Sequence, residues 1–185
     1  MDSLVGKASA LIFIAGLVIS TVIAPPLASR FRADRRLVFF SLIATFLIVA
    51  VTWPLDTSHA VRHIGETFHP GAMLSWWRES WGTRTYKLFA KQDGRNNVAL
   101  FIPAGFLWTL VMLGQSIPSA ARRVIVALCG LSFMVESLQA VSGVRDADTR
   151  DLVTNTVGAA IGAFTALLWN ATRRRIAPLE LTTEV

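Results

Sequence analysis

The sequence is poor in cysteine, and charged residues are almost absent from five long stretches. Its single cysteine, Cys129, excludes an intrachain disulfide and a cysteine-based zinc site, so we expect it to be a small packing residue. The five stretches together hold 99 residues and one charged side chain, Glu136. This distribution of charge excludes a soluble globular domain, a disordered chain and a disulfide scaffold. The stretches are Ala8–Leu27, Leu37–Leu55, Val98–Ile117, Val124–Ser142 and Leu152–Thr172.

Each stretch is 19 to 21 residues long, close to the ~20 apolar residues that a transmembrane helix requires. The stretches are continuously apolar rather than alternating, which favours helices over strands. We therefore predict an all-α, polytopic transmembrane helical bundle of about five spans, forming a single domain over residues 1–185. Pro25 and Pro26 are expected to end the first span, and Pro103 is expected to kink the third.

The N-terminal segment differs from a cleaved signal peptide. Met1–Lys7 contains the acidic Asp2 as well as the basic Lys7, so it is not a positively charged leader. No small-x-small cleavage site follows Ala8–Leu27. We expect this stretch to be a retained first span.

The segment Ala28–Arg36 contains four arginines and is predicted to be cytoplasmic. Five spans then place the N-terminus outside and the C-terminus in the cytoplasm. Each side has nine basic residues, but the inner segments total 28 residues and the outer ones 58. The density of basic residues favours this orientation, with the mirrored topology left open. The net charge of +6 is thus attributed to cytoplasmic loops, and no nucleic-acid partner is expected.

The long outer segment, residues 56–97, contains several aromatic residues and all three histidines. Its tryptophans favour a short interfacial or re-entrant helix around Gly71–Trp81. His59, His63 and Glu66 follow an i, i+4, i+7 spacing, which suits zinc but also occurs in any polar interfacial helix. No fourth ligand is evident, so a metal site here is left open.

Polar residues at membrane depth occur first at the start of the third span. Asn97, Phe101 and Gly105 follow an i, i+4, i+8 spacing and are predicted to share one helix face. Asn97 is interpreted either as the N-cap of the third helix or as part of a binding site.

The second polar group is Glu136 and Gln139, which lie three residues apart and face the same direction on the fourth span. An ionised carboxylate at this depth costs several kcal/mol unless it is paired or protonated, so Glu136 is the best candidate for a catalytic residue. The alternative is a structural hydrogen bond between helices.

The third polar group forms one helical stripe around the start of the fifth span. Its lower part, Gly158-x-x-x-Gly162, is a small-xxx-small motif that predicts close helix packing, in which Gly105 is expected to take part. Its aspartates are explained either by a site, with a divalent cation at Asp148 and Asp151, or by the preference for acidic residues at a helix N-terminus. The stripe comprises Arg145, Asp148, Asp151, Asn155, Gly158 and Gly162.

The predicted topology places all three polar groups at the outer face of the membrane. Their patterns, N-x3-F-x-P-x-G, E-x2-Q and R-x2-D-x2-D-x3-N-x2-G-x3-G, span Asn97–Gly162 and resemble those of the VanZ-like family of bacterial membrane proteins. The resemblance implies a bacterial plasma-membrane protein of a family named for a protein associated with resistance to the glycopeptide teicoplanin. The first two spans and the histidine-bearing loop carry no matching motif.

Two functions follow as hypotheses. The first is the binding of an amphiphile, such as a glycopeptide or a lipid-linked cell-wall precursor, in an outer-facing groove, with the polar residues as ligand contacts or structural ion pairs, above all Glu136 with Arg145. The second is an enzyme acting on a lipid-linked substrate at the outer leaflet, with Glu136 as general acid or base and Arg145 holding a phosphate or carboxylate. A transporter is disfavoured because repeated halves with broken helices are absent. Membrane lipid is an expected partner, and the oligomeric state is left open. The predicted contacts are Asn97, Glu136, Gln139, Arg145, Asp148, Asp151 and Asn155.

Overall fold

Five α-helices make up the part of the chain that the computed structural model describes, namely residues 2–52, 92–113, 117–142 and 149–180. These residues contain no strand. The predicted interfacial helix around Gly71–Trp81 lies outside them. The helices are α1 (Asp2–Phe31), α2 (Arg35–Thr52), α3 (Gln92–Met112), α4 (Ile117–Ser142) and α5 (Thr149–Glu180).

Three helices contain segments long and apolar enough to cross a membrane: Ser9–Phe31 in α1, Arg35–Thr52 in α2 and Arg150–Arg174 in α5. Large apolar side chains cover the outside of the bundle, such as Val126 of α4 and Leu168 of α5, which are 66% and 69% exposed. An exterior of this kind suits a bundle surrounded by lipid. The prediction of an all-α transmembrane bundle is confirmed.

The first helix continues through Pro25 and Pro26, so the prediction that these prolines end the first span is wrong. Proline removes one helical hydrogen bond, but packing against a neighbouring helix compensates in membrane proteins. Here Ala24 and Ala28, on either side of the prolines, are buried in one cluster with Val38 of α2. Tertiary contacts with α2 therefore outweigh the local preference of proline to stop a helix.

The helix α1 ends instead at a left-handed residue, Arg32, whose φ is 51°. The N–H of Ala33 donates to the carbonyl of Ala28 at 3.0 Å, and the N–H of Arg32 donates to the carbonyl of Ser29 at 3.2 Å. This pair of bonds is the Schellman arrangement, which satisfies carbonyls that have no partner inside the helix. The chain reverses direction here, so α1 and α2 form a tight antiparallel hairpin.

Asp34 begins the second helix as its N-cap. Its Oδ1 atom accepts hydrogen bonds from the backbone N–H groups of Arg36 at 2.7 Å and Leu37 at 3.2 Å. These groups belong to the first turn, where a helix leaves its N–H donors without internal partners.

The helices α3 and α5 run in the same direction and make the most extensive contact in the described bundle. A β-carbon added to Gly158 would overlap the carbonyl oxygen of Val98, and one added to Gly162 would overlap the carbonyl oxygen of Ile102. Residue numbers thus increase together along both helices. In the sequence α4 lies between α3 and α5, so a parallel pair of α3 and α5 requires α4 to run in the opposite direction.

Gly105 completes this contact from the α3 side, because a β-carbon there would overlap the carbonyl oxygen of Ala159. Backbone therefore meets backbone over about two turns of α3 and little more than one turn of α5. Small residues allow such an approach, and the dispersion energy of close packing replaces the hydrophobic effect, which has little force between helices in lipid.

Candidate functional site

Two hydrogen bonds align the helix ends around the polar residues. Gln139, near the end of α4, bonds to Thr52 at the end of α2, and Asn155, near the start of α5, bonds to Ser132 of α4. The start of α3 lies at the same end, because Val98 meets Gly158. We call this end, defined by Thr52, Asn97, Gln139 and Asn155, the polar end. We call the opposite end, with exposed Arg30, Arg32, Arg35, Arg36, Arg122 and Arg123, the arginine end.

Glu136 lies on the face of α4 that is turned toward the other helices. Its side chain is 6% exposed, while Met134 on the opposite face is 51% exposed. Ser132 precedes Glu136 by one helical turn and is fully buried. The carboxyl group is thus held inside the bundle at the polar end, where removal from water makes its polar contacts strong.

Gln139 joins α4 to α2. Its side-chain amide, Nε2, donates to the backbone carbonyl of Thr52 at 2.8 Å, and the glutamine is 5% exposed. Thr52 is the last residue of α2, where carbonyl groups have no partner inside the helix. The bond therefore caps α2 and fixes its distance from α4. The spacing of Glu136 and Gln139 in sequence gave no indication of this partner.

Asn155 joins α5 to α4. Its Nδ2 atom donates to Oγ of Ser132 at 2.8 Å, and both residues are buried, with 4% and 0% exposure. The Oδ1 atom of Asn155 is also buried and has no hydrogen-bond partner among the described residues. A buried acceptor without a partner costs about 1–3 kcal/mol. This amide oxygen is therefore a buried acceptor on a side chain that contacts Ser132, one turn before Glu136 on α4.

Asp151 lies in the first turn of α5 and is half-buried. An acidic residue in this position is stabilised by the helix dipole. The structure thus places Asp151 one turn before Asn155 at the polar end. Arg145 and Asp148 lie outside the described residues, so the ion pair of Arg145 with Glu136 and the cation at Asp148 and Asp151 stay predictions.

Asn97 is half-buried in the second turn of α3, which begins at Gln92. The interpretation of Asn97 as the N-cap of this helix is therefore wrong. Polar residues assigned by sequence to the outer loop continue the helix beyond the apolar stretch, since a helix does not require apolar side chains where it leaves the lipid. Asn97 directly precedes Val98 and thus lies beside the α3–α5 contact.

Among the residues that the structure describes, no group of three or more histidine, cysteine, aspartate or glutamate side chains is placed to hold a metal ion. His59, His63 and Glu66 fall outside those residues, and their role in metal binding stays a prediction.

The polar end thus brings together a carboxyl group, two amides and a hydroxyl group, from Glu136, Gln139, Asn155 and Ser132. Groups of these kinds donate and accept hydrogen bonds, and those on α4 are spread over about two turns from Ser132 to Gln139. Sequence reasoning missed Ser132 and Thr52, because serine and threonine are common in membrane helices and carry no distinguishing spacing.

A protein-family model described as VanZ/LLP1 matches residues 11–170, which reach from α1 nearly to the end of the apolar part of α5. No curated protein and no solved structure matches the chain.

Proposed function

We propose that this protein, which belongs to the VanZ/LLP1 family, binds an amphiphilic cell-envelope ligand at the polar end of its helical bundle. The observation that carries the proposal is the buried Oδ1 atom of Asn155, which has no hydrogen-bond partner among the described residues. The same side chain bonds to Ser132, which precedes Glu136 by one turn on α4. Buried polar atoms are almost always hydrogen-bonded, so an acceptor of this kind suits a donor group brought by a ligand.

The arginines support an orientation in which the polar end faces outward. Those of the α1–α2 turn and of the start of α4 lie together at the opposite end of the bundle and are exposed. Arginine marks cytoplasmic segments of membrane proteins. In the proposed topology the N-terminus is outside, the C-terminus is cytoplasmic, and the site opens toward the cell envelope.

The ligand we propose is a glycopeptide or a lipid-linked cell-wall precursor. Its polar group would contact Glu136, Gln139 and Asn155, and its lipid chain would lie along the exposed ring of Phe133, which precedes Glu136 by three residues on α4. Amphiphiles of this kind need a polar contact at the depth of the membrane surface and an apolar surface below it. Further polar contacts are proposed from Asn97, Arg145, Asp148 and Asp151.

Substitution of Glu136 tests the site. We expect E136Q to weaken binding of fluorescent teicoplanin or of a purified lipid-linked precursor in nanodiscs at least tenfold, since a hydrogen bond to a charged group contributes about 1.5–3 kcal/mol. The matched control is S137A, because the Ser137 hydroxyl only donates to the carbonyl of Phe133 on the same helix, at 2.7 Å. Equal binding by wild type, E136Q and S137A would show that Glu136 is not part of the site.

The alternative function is catalysis on a lipid-linked substrate, with Glu136 as the general acid or base. The burial of the Glu136 side chain, which is 6% exposed, favours this role for it. A general acid or base contributes about 10²–10⁴-fold to a rate. In that case E136Q would retain the substrate but lose turnover, measured as product by mass spectrometry. Bound and intact substrate with wild-type protein would exclude this alternative.

A further inference from the structure

A groove that reaches the arginine end shares no lining residue with the polar residues that carry the proposed function. It has a volume of about 340 Å³, at the lower end of the ~300–1,000 Å³ that ligand sites occupy. Four helices contribute to its walls. Six of its lining residues are Phe31, Thr45, Trp108, Met112, Arg123 and Ala127.

The floor of the groove is held in place by the ring of Trp108. Its Nε1–H group donates to Oγ1 of Thr45 at 2.9 Å, and the ring of Phe31 meets it edge to face at a centroid distance of 6.4 Å. An indole with its one donor satisfied presents an apolar surface to the groove. Trp108 thus gives the groove a preorganised apolar floor against which a hydrocarbon chain can pack.

The walls α2 and α4 both pack on α3, and at the polar end they are joined by the bond from Gln139 to Thr52. Toward the arginine end the groove reaches Arg123, which is exposed. Ala127, one turn along α4, is also exposed and leaves the groove open at its side. A chain can therefore enter from the surrounding lipid rather than through the protein.

The charge around the groove is strongly positive. Phe31 is the last residue of α1, and the α1–α2 turn begins directly after it. Residues 30–36, at this turn, include four exposed arginines and one aspartate. The guanidinium of Arg123 has five N–H donors, so it can serve a phosphate group in addition to its contacts within the protein. Charge and shape together fit an amphiphile with an anionic head and an apolar chain.

We propose that this groove binds an anionic phospholipid, with one acyl chain against Trp108 and the phosphate at Arg123. The site is independent of the proposed function, because the two share no residue. By the positive-inside arrangement, the lipid belongs to the cytoplasmic leaflet.

The first experiment tests the headgroup contact. The full chain is purified in detergent, and binding of phosphatidylglycerol and of phosphatidylcholine with identical acyl chains is compared by native mass spectrometry. We expect R123Q to lower the affinity for phosphatidylglycerol about fivefold, as one basic residue near a membrane surface contributes ~1 kcal/mol. The matched control is R122Q, since Arg122 is equally exposed but does not line the groove.

The second experiment tests the chain. We expect the phenyl ring of A127F to fill the groove and to lower the fraction of protein that retains either lipid in native mass spectra. The control V126F changes a neighbouring exposed residue that does not line the groove, so we expect it to leave lipid retention unchanged. Circular dichroism confirms the helical content of each variant. Equal losses in R122Q and R123Q would reduce the effect to general surface charge and overturn the proposal. Unchanged retention in a folded A127F variant would overturn it as well.

Discussion

Replacement of Gly162 by alanine is the sharpest test of the packing that holds α3 against α5. The added β-carbon would overlap the carbonyl oxygen of Ile102 and come within 2.7 Å of the backbone nitrogen of Phe106. Both atoms belong to the backbone of α3, so no side-chain rotation can relieve the overlap. The two helices must separate, and the neighbouring contact between Gly158 and Val98 is weakened with them.

The magnitude follows from two opposing effects. Overpacking of a well-packed interior costs about 1–3 kcal/mol, and the backbone position of the clash places G162A at the upper part of that range. Alanine is a better helix former than glycine by about 0.8–1.0 kcal/mol, which offsets part of the cost. We therefore expect a net destabilisation of about 1–2 kcal/mol, or a fall in Tm of roughly 2–8 °C for a chain of this size.

Gly130 provides the control, because a β-carbon added there has no atom within 4 Å. The variant G130A gains the helix preference of alanine without an overlap, so its Tm should equal or exceed that of wild type. Thermal unfolding in one detergent, followed by circular dichroism at 222 nm, measures all three proteins. A Tm of G162A equal to that of wild type, or an equal fall in G130A, would refute the close approach of α3 and α5.

Two further predictions concern local contacts. The variant D34A removes the acceptor for the N–H groups of Arg36 and Leu37, and we expect it to lower stability by about 0.5–2 kcal/mol in thermal unfolding; an unchanged Tm would contradict the capping role. The variant W108F replaces the indole with a smaller phenyl ring and loses the bond to Thr45, so we expect the free energy of unfolding to fall by at least about 1 kcal/mol. A double variant with T45V whose loss is smaller than the sum of the two single losses would confirm the coupling, and an additive loss would contradict it.

Much of the fold could be predicted from the distribution of charge. Lipid excludes most charged side chains from spans of fixed length, so five stretches with a single charged residue, Glu136, mark five helices. The direction of each span then alternates. The parallel contact of Gly158 with Val98 and the bond between Asn155 and Ser132 agree with that alternation.

The errors and omissions arose where non-local contacts decide local structure. Proline stops most helices, but the burial of Ala24 against α2 keeps α1 intact through Pro25 and Pro26. Hydropathy detects where lipid begins rather than where a helix begins, so the start of α3 before Asn97 was missed. The bond of Gln139 to Thr52 joins residues 87 positions apart, and no local spacing indicates such a pair.

The parallel contact between α3 and α5 has a consequence for the order of assembly. Gly105 and Gly162 are 57 residues apart, so at a synthesis rate of ~5–20 residues per second α5 emerges about 3–11 s after the α3 surface that it covers. During that interval the surface of α3 that contains Gly105 is exposed to lipid or to the insertion machinery. Completion of the α3–α5 contact therefore depends on α5, and a ribosome stalled after α4 would leave the α3 surface around Gly105 uncovered.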